Sequence, residues 1–129
     1  MNKKTLVTAA VLGVLAIILG AFASHGLKDT ISKDALDTFE TGVRYQMYHA
    51  LFLLFVSLNN SMRHKTKQAL LILVIVGVLF FSGSIYVLAT NELWTFDFKK
   101  IAFVTPFGGF LLILSWLVLL IDSIRNAKE

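Results

Sequence analysis

Two histidines outside the basic loops, one arginine and one glutamate are the residues of this chain best equipped to hold a ligand or move a proton. His49 closes the stretch Thr38–Ala50, which also carries Glu40, Arg44, Tyr45 and Gln46, and His25 follows Gly20–Ser24. Glu40, Arg44 and His49 have the chemistry of a proton, ion or solute relay. His25 and His49 could ligate a metal only with a carboxylate or Met47 added, and no recognised metal spacing is present. Ser82 or Ser84 could pair with His49 as a nucleophile, yet there is no HExxH, no phosphate-binding glycine loop and no nucleophile elbow. A catalytic assignment is therefore not made, and no cofactor is expected.

Each of these residues also has a plainer role. His49 can hydrogen-bond between helices, and His25 can be a solvated loop residue or a cap. Glu40–Arg44 has the favourable i,i+4 order for an ion pair that snorkels to water. Tyr86 and Trp94 suit an outer aromatic belt and Trp116 an inner one, while Ser82-Gly83-Ser84 suits close helix packing.

What must position these groups follows from composition. The 129 residues are 57% hydrophobic and 16% charged, with a mean hydropathy of +0.75. Soluble domains carry about 25% charged residues, and a chain this short could not hide so much apolar surface from water. The expected class is an all-α integral membrane four-helix bundle, with the bilayer as its partner and a second copy as a possible one. Net charge is +4, but the basic residues are scattered singly or in pairs, so no nucleic-acid partner is expected. Without cysteine, disulfides, thiolate metal sites and a thiol nucleophile are excluded.

A single domain over 1–129 is expected, with spans at about residues 5–23, 43–59, 68–89 and 101–121, since about 20 residues cross a bilayer. Ala21-Phe22-Ala23 fits the small-x-small pattern of a signal-peptide cleavage site, but three further apolar segments favour a retained first helix. Ser32 reads as an N-cap with Asp34 in the first turn, predicting a helix from Lys33 to Leu58. Pro106 is harmless only if it lies in the first turn of its span.

Lys3, Lys4, Arg63, Lys65, Lys67, Arg125 and Lys128 fall on one side of these spans. The dense loop Arg63-His64-Lys65-x-Lys67 predicts that this side, with both termini, is cytoplasmic. The ends of spans one and three and the starts of spans two and four then share the outward level. A pocket lined by His25, Glu40, Arg44, Tyr45, Gln46, His49, Ser82, Ser84 and Thr105 is expected there, for a small ligand of unknown identity or a partner helix. On the second helix, Asp37, Glu40, Arg44, Tyr45 and His49 are expected to face the interior or a wet cavity. Phe39, Val43, Met47, Ala50 and Leu54 are expected to face lipid.

Four blocks in order carry a resemblance: Gly20-Ala21-Phe22-Ala23-Ser24-His25-Gly26-Leu27, Phe39 through Leu51, Phe81-Ser82-Gly83-Ser84-Ile85-Tyr86 and Thr105-Pro106-Phe107-Gly108-Gly109. Over essentially its whole length the chain resembles the domain-of-unknown-function 423 family of small bacterial membrane proteins, whose eukaryotic relatives are called transmembrane protein 256. Ala23 departs from a glycine common in that family. The resemblance implies a four-helix protein of the bacterial plasma membrane, argues against cleavage after Ala23, and implies no activity, substrate or cofactor.

Overall fold

Polar caps decide where each apolar helix begins. A computed structural model describes residues 2–126, which form helices and turns with no strand among them; Lys128 and Glu129 lie outside the described residues. Helix α1 (Lys3–Phe22) starts where Asn2 Oδ1 accepts the Thr5 amide at 3.2 Å, and it continues as a π-helical turn, Ala23–Leu27. Helix α2 (Lys33–Leu58) starts at Ser32, whose Oγ accepts the Ala35 amide at 3.1 Å, with Asp34 in the first turn. That is the start predicted from the cap signature, and it puts a carboxylate beside the positive end of the helix dipole.

Helix α3 (His64–Val78), a π-helical turn at Leu79–Gly83, and α4 (Ser84–Ala89) form one continuous rod. Two 3₁₀ turns, Asn91–Leu93 and Phe98–Ile101, lead into α5 (Val104–Asn126). The last helix was expected over 101–121; it starts three residues later and ends five later. Pro106 is thus its third residue, where the missing N–H has no intrahelical acceptor to lose. The Ala102 carbonyl is taken instead by the Thr105 amide at 3.2 Å.

Three of these segments are long and apolar enough to cross a membrane: Lys3–Leu27, His64–Ala89 and Val104–Asn126. Helix α2, at 26 residues, is long enough, but Lys33, Asp34, Asp37, Glu40 and Arg44 make its first half too polar to join them.

Consecutive helices pair early residues with late ones. Gly20 faces Val43 and Asn2 N–H reaches Ser57 O across α1 and α2. Phe39 stacks on Tyr86 and Lys67 reaches Ser57 across α2 and the α3–α4 rod. Gly108 meets Phe80 and Phe81, and Thr66 meets Asp122, across that rod and α5. Helix α1 packs along α2 and has no comparable contact with α3 or α5. Two apolar clusters result, one around Leu53, Val56, Leu70 and Val74, the other around Ala23, Leu27, Phe39 and Ala89. Exposed Val, Leu, Ile and Phe side chains cover the outside of the helices, the distribution that hydrocarbon in place of water permits.

The facing of α2 corrects the sequence expectation for Phe39, Ala50, Asp37, Arg44 and Tyr45, while His49 is buried and Leu54 exposed as expected. Phe39, Gly42, Gln46, His49, Leu53 and Val56 form its buried stripe, and Ala50 is buried too, whereas Arg44, Tyr45, Leu51 and Leu54 are exposed. Asp37 is exposed and Glu40 half-buried. The first turns of α2 stand where charges can be solvated, so they have no need of the interior. Phe39 takes that interior and stacks against Tyr86 at 4.8 Å.

Candidate functional site

Between the two apolar clusters lies a layer of hydrogen bonds that ties the helices together. Its centre is Gln46, only 3% exposed. Gln46 Nε2 donates to the Leu12 carbonyl of α1 at 2.9 Å, and Gln46 Oε1 accepts the Tyr86 hydroxyl of α4 at 2.7 Å. One amide therefore joins three helices. Tyr86, expected in an aromatic belt, is half-buried and turned inward to supply this proton.

Ser82 is fully buried and donates to the Gly42 carbonyl at 2.7 Å. That approach depends on Gly42, because a Cβ there would lie 2.8 Å from Tyr86 Cε1 and 3.0 Å from Ile85 Cγ2. Ser84 points the other way, to Thr105 of α5 and to the carbonyls of Phe80 and Phe81. A hydroxyl has one proton, so when Ser84 gives its proton to a carbonyl, Thr105 is the donor between the two side chains. The Phe81 carbonyl also accepts the Ser84 amide, so this serine closes the π-helical turn with both its backbone N–H and its hydroxyl.

His49 is buried, with Nδ1 2.7 Å from the Tyr45 carbonyl, and Trp116 Nε1 donates to its Nε2 at 3.1 Å. An indole N–H can only donate, so Nε2 is an acceptor and the proton sits on Nδ1, directed at the Tyr45 carbonyl. The imidazole is thereby held neutral and in one tautomer. Trp116, expected in an inner aromatic belt, lies instead near the middle of α5, against Phe52 at 4.6 Å between ring centroids. The signal that could have found it is depth: a tryptophan this far from either helix end must find an acceptor for its N–H.

Tyr45, His49, Phe81, Gly109, Leu112, Ile113 and Trp116 line a lateral groove of about 310 Å³ between α2 and α5. It is an apolar trough with His49 as its buried polar group. Of the nine residues expected to line one pocket, only Tyr45 and His49 do so here. Gln46, Ser82, Ser84 and Thr105 are spent on helix-to-helix bonds. His25 is exposed on the π-helical turn after α1. Arg44 is exposed and its guanidinium donates to Thr41 Oγ1 at 2.9 Å; among the described residues no ion pair links it to Glu40. Solvent lets each of these two charges stand alone. Nor, among the described residues, does any group of three or more His, Asp or Glu gather as metal ligands.

Comparison with known proteins agrees with this architecture at the level of family. Residues 19–109 match the family model described as "Protein of unknown function (DUF423)", a span that contains every layer residue except Leu12 and Trp116. The chain is 35% identical over 126 residues to the "UPF0382 membrane protein" of Haemophilus influenzae, covering 98% of each chain. It is 31% identical over 125 residues to the "UPF0382 membrane protein YwdK" of Bacillus subtilis, covering 95% of this chain and 98% of that one. With the "UPF0382 inner membrane protein YgdD" of Escherichia coli it shares 32% identity over 131 residues, covering 99% of this chain and 95% of that one. No solved structure matches. The chain belongs to the DUF423 family of bacterial membrane proteins.

Proposed function

We propose that this DUF423-family protein crosses the bacterial plasma membrane four times, as an antiparallel bundle with both termini in the cytoplasm, and takes a small lipid-soluble ligand into the groove between α2 and α5. The observation that carries the ligand reading is His49 at the wall of that groove: a neutral imidazole, oriented by Tyr45 and Trp116, in an otherwise apolar trough open to the side. Such sites bind molecules that are mostly apolar with one or two polar groups; both ring nitrogens of His49 are engaged, so a ligand's polar group takes His49 Nε2 by displacing the Trp116 N–H. The orientation rests on the basic loop at Arg63–Lys67, and the inner-membrane wording of the Escherichia coli relative's name supports the compartment.

A second copy docking a helix in the same groove is the second reading, favoured by Gly109 at its edge, where small residues admit a partner backbone. The relay reading has less support: His49 has both ring nitrogens engaged, and Arg44 and Glu40 are not joined to it by hydrogen bonds among the described residues. A metal reading through His25 and His49 would need His25 turned inward from an exposed position.

Full-length protein released from detergent into a mass spectrometer, with bound lipid and small molecules retained, reports ligand and oligomer together. Gly109→Leu fills the groove, since a Cβ at Gly109 comes no closer than 3.4 Å to Phe81. The variant should lose a ligand that wild type retains, or become monomeric where wild type is dimeric. Identical bound mass and oligomeric state in both proteins would sink the groove reading. A reporter fused after Glu129 that is active only outside the cytoplasm would sink the orientation.

A further inference from the structure

A second recess lies at the opposite level of the fold, where Asn2, the α2–α3 connection and Asn126 come together. It has a volume of about 440 Å³ and is lined by Asn2, Lys3, Lys4, Met62, His64, Lys67 and Gln68. Three lysines and a histidine face it, and among the described residues no carboxylate does. It shares no residue with the groove described above.

Lys67 is the unusual member. It is only 6% exposed, on the first turn of α3, and among the described residues its Nζ has one acceptor, the Ser57 carbonyl at 3.4 Å. An ammonium carries three donors, and a buried charge is costly unless paired. Asp122 is also buried on this side, but its two oxygens accept from Thr66 and Asn126 instead. Asn2 N–H takes the same Ser57 carbonyl at 3.1 Å, so the carbonyl that accepts from Lys67 is shared.

The backbone adds to the same field. The first turns of both α1 and α3 line the recess. The N-cap of α3, Arg63, makes no side-chain cap bond, and the first N–H of this helix with an intrahelical acceptor is that of Lys67, to Arg63 O at 3.1 Å. The amides of His64, Lys65 and Thr66 are therefore open, at the positive end of a helix dipole.

We propose that this recess binds a phosphate-bearing anion. Lys67 is its buried counter-charge, Lys3, Lys4 and His64 close over it, and the open His64 amide at the start of α3 hydrogen-bonds its oxygens. A phosphate diester on an anionic phospholipid and a soluble phosphate present the same chemistry. Basic recesses between helices at the membrane surface suit the first source, and open helix N-termini suit either.

The test uses full-length protein in neutral detergent, with three probes in separate arms: dioleoyl phosphatidylglycerol, dioleoyl phosphatidylcholine and inorganic phosphate. Native mass spectrometry reads lipid retention and a thermal shift reads phosphate. Expected is retention of phosphatidylglycerol at least about tenfold above phosphatidylcholine, at the tenfold-per-1.4 kcal/mol conversion. Lys67→Gln should abolish the preference and Lys67→Arg should keep it. Because Lys67 is buried and its loss could disturb folding, Lys3→Gln with Lys4→Gln is the second variant; both positions are exposed, and the pair should weaken the preference while leaving the melting temperature unchanged. A thermal shift with inorganic phosphate that disappears in the same variants supports the soluble source. Equal retention of both lipids with no phosphate shift overturns the site, as does a preference that survives in both variants.

Discussion

Trp116 gives its indole N–H to Nε2 of His49 across 3.1 Å, although the two residues stand 67 positions apart and on different helices. The bond closes the α2–α5 side of the fold, where the two helices are otherwise separated by a groove. It also fixes which nitrogen of His49 bears the proton.

Removing either partner should therefore cost the same thing. Trp116→Phe is expected to destabilise the detergent-solubilised protein by about 0.6–1.7 kcal/mol, the range of interhelical hydrogen bonds in membranes. In a His49→Phe background the same change should cost markedly less. Additive losses across this double-mutant cycle would mean that the bond contributes nothing.

Gln46 makes an equivalent test in the interior. Tyr86→Phe removes one bond and leaves Gln46 Oε1 buried without a donor, so it should destabilise by about 1–3 kcal/mol. Gln46→Leu removes both of its bonds and also strands the Tyr86 hydroxyl. The double variant should recover part of that loss, because replacing both partners leaves no orphan. Thermal unfolding followed by circular dichroism measures all three.

Glycine tolerance should differ between neighbours in sequence. A Cβ at Gly108 would overlap the Phe81 amide nitrogen and lie 2.6 Å from the Phe80 carbonyl carbon, so the π-helical turn at Leu79–Gly83 and α5 would have to separate. Gly108→Ala should abolish or sharply reduce folded yield. Gly109→Ala meets only the Phe81 ring, at 3.4 Å, and should express normally. Similar yields for the two variants would contradict the close crossing.

The connection between α4 and α5 should loosen in acid. The Lys99 amide and then the Asn91 side chain hold the Asp97 carboxyl below its ordinary value, with the Lys99 and Lys100 charges assisting. A depressed carboxylate supports the fold above its unfolded-state pKa, and that support is lost as pH falls through the lower folded value. Hydrogen exchange at Phe98, whose amide is held by Asn91 Oδ1 at 2.8 Å, should therefore accelerate in that range. Asp97→Asn should remove the pH dependence. An unchanged acid profile in that variant would place its origin elsewhere.

Where a residue's own neighbours decide its role, sequence reading succeeded. The Ser32 cap and the Lys33 start of α2 depend on three or four adjacent residues, and so does the harmlessness of Pro106. The polar depth of Gln46, Ser82 and Ser84 was legible because four apolar runs leave few ways to stack. What each of these groups does was less so, since a pocket wall and a helix-to-helix bond draw on the same residue types. The facing of α2 is not legible from its charges, because Arg44 and Asp37 can stand exposed on the outside of the bundle and need no interior partner. Trp116 reads as a belt residue in sequence because its depth depends on how far α5 continues past it. Lys67 and Asp122 were missed because they sit just inside helix ends, where burial depends on tertiary packing.

Helix α1 rests on α2 and scarcely touches the rest of the bundle. During synthesis it emerges first together with α2, so these two can close as a hairpin before α3 exists. Gln46 would then hold Leu12 while its oxygen waits for Tyr86, forty residues further along the chain. The second hairpin is thus recruited by an acceptor left vacant in the first, and the order of translation becomes part of the assembly code. A chain truncated after Lys67 should insert as a hairpin that Gln46→Leu and Gln46→Glu both destabilise, since each removes the Nε2–H that the Leu12 carbonyl accepts. A hairpin indifferent to both would remove that order.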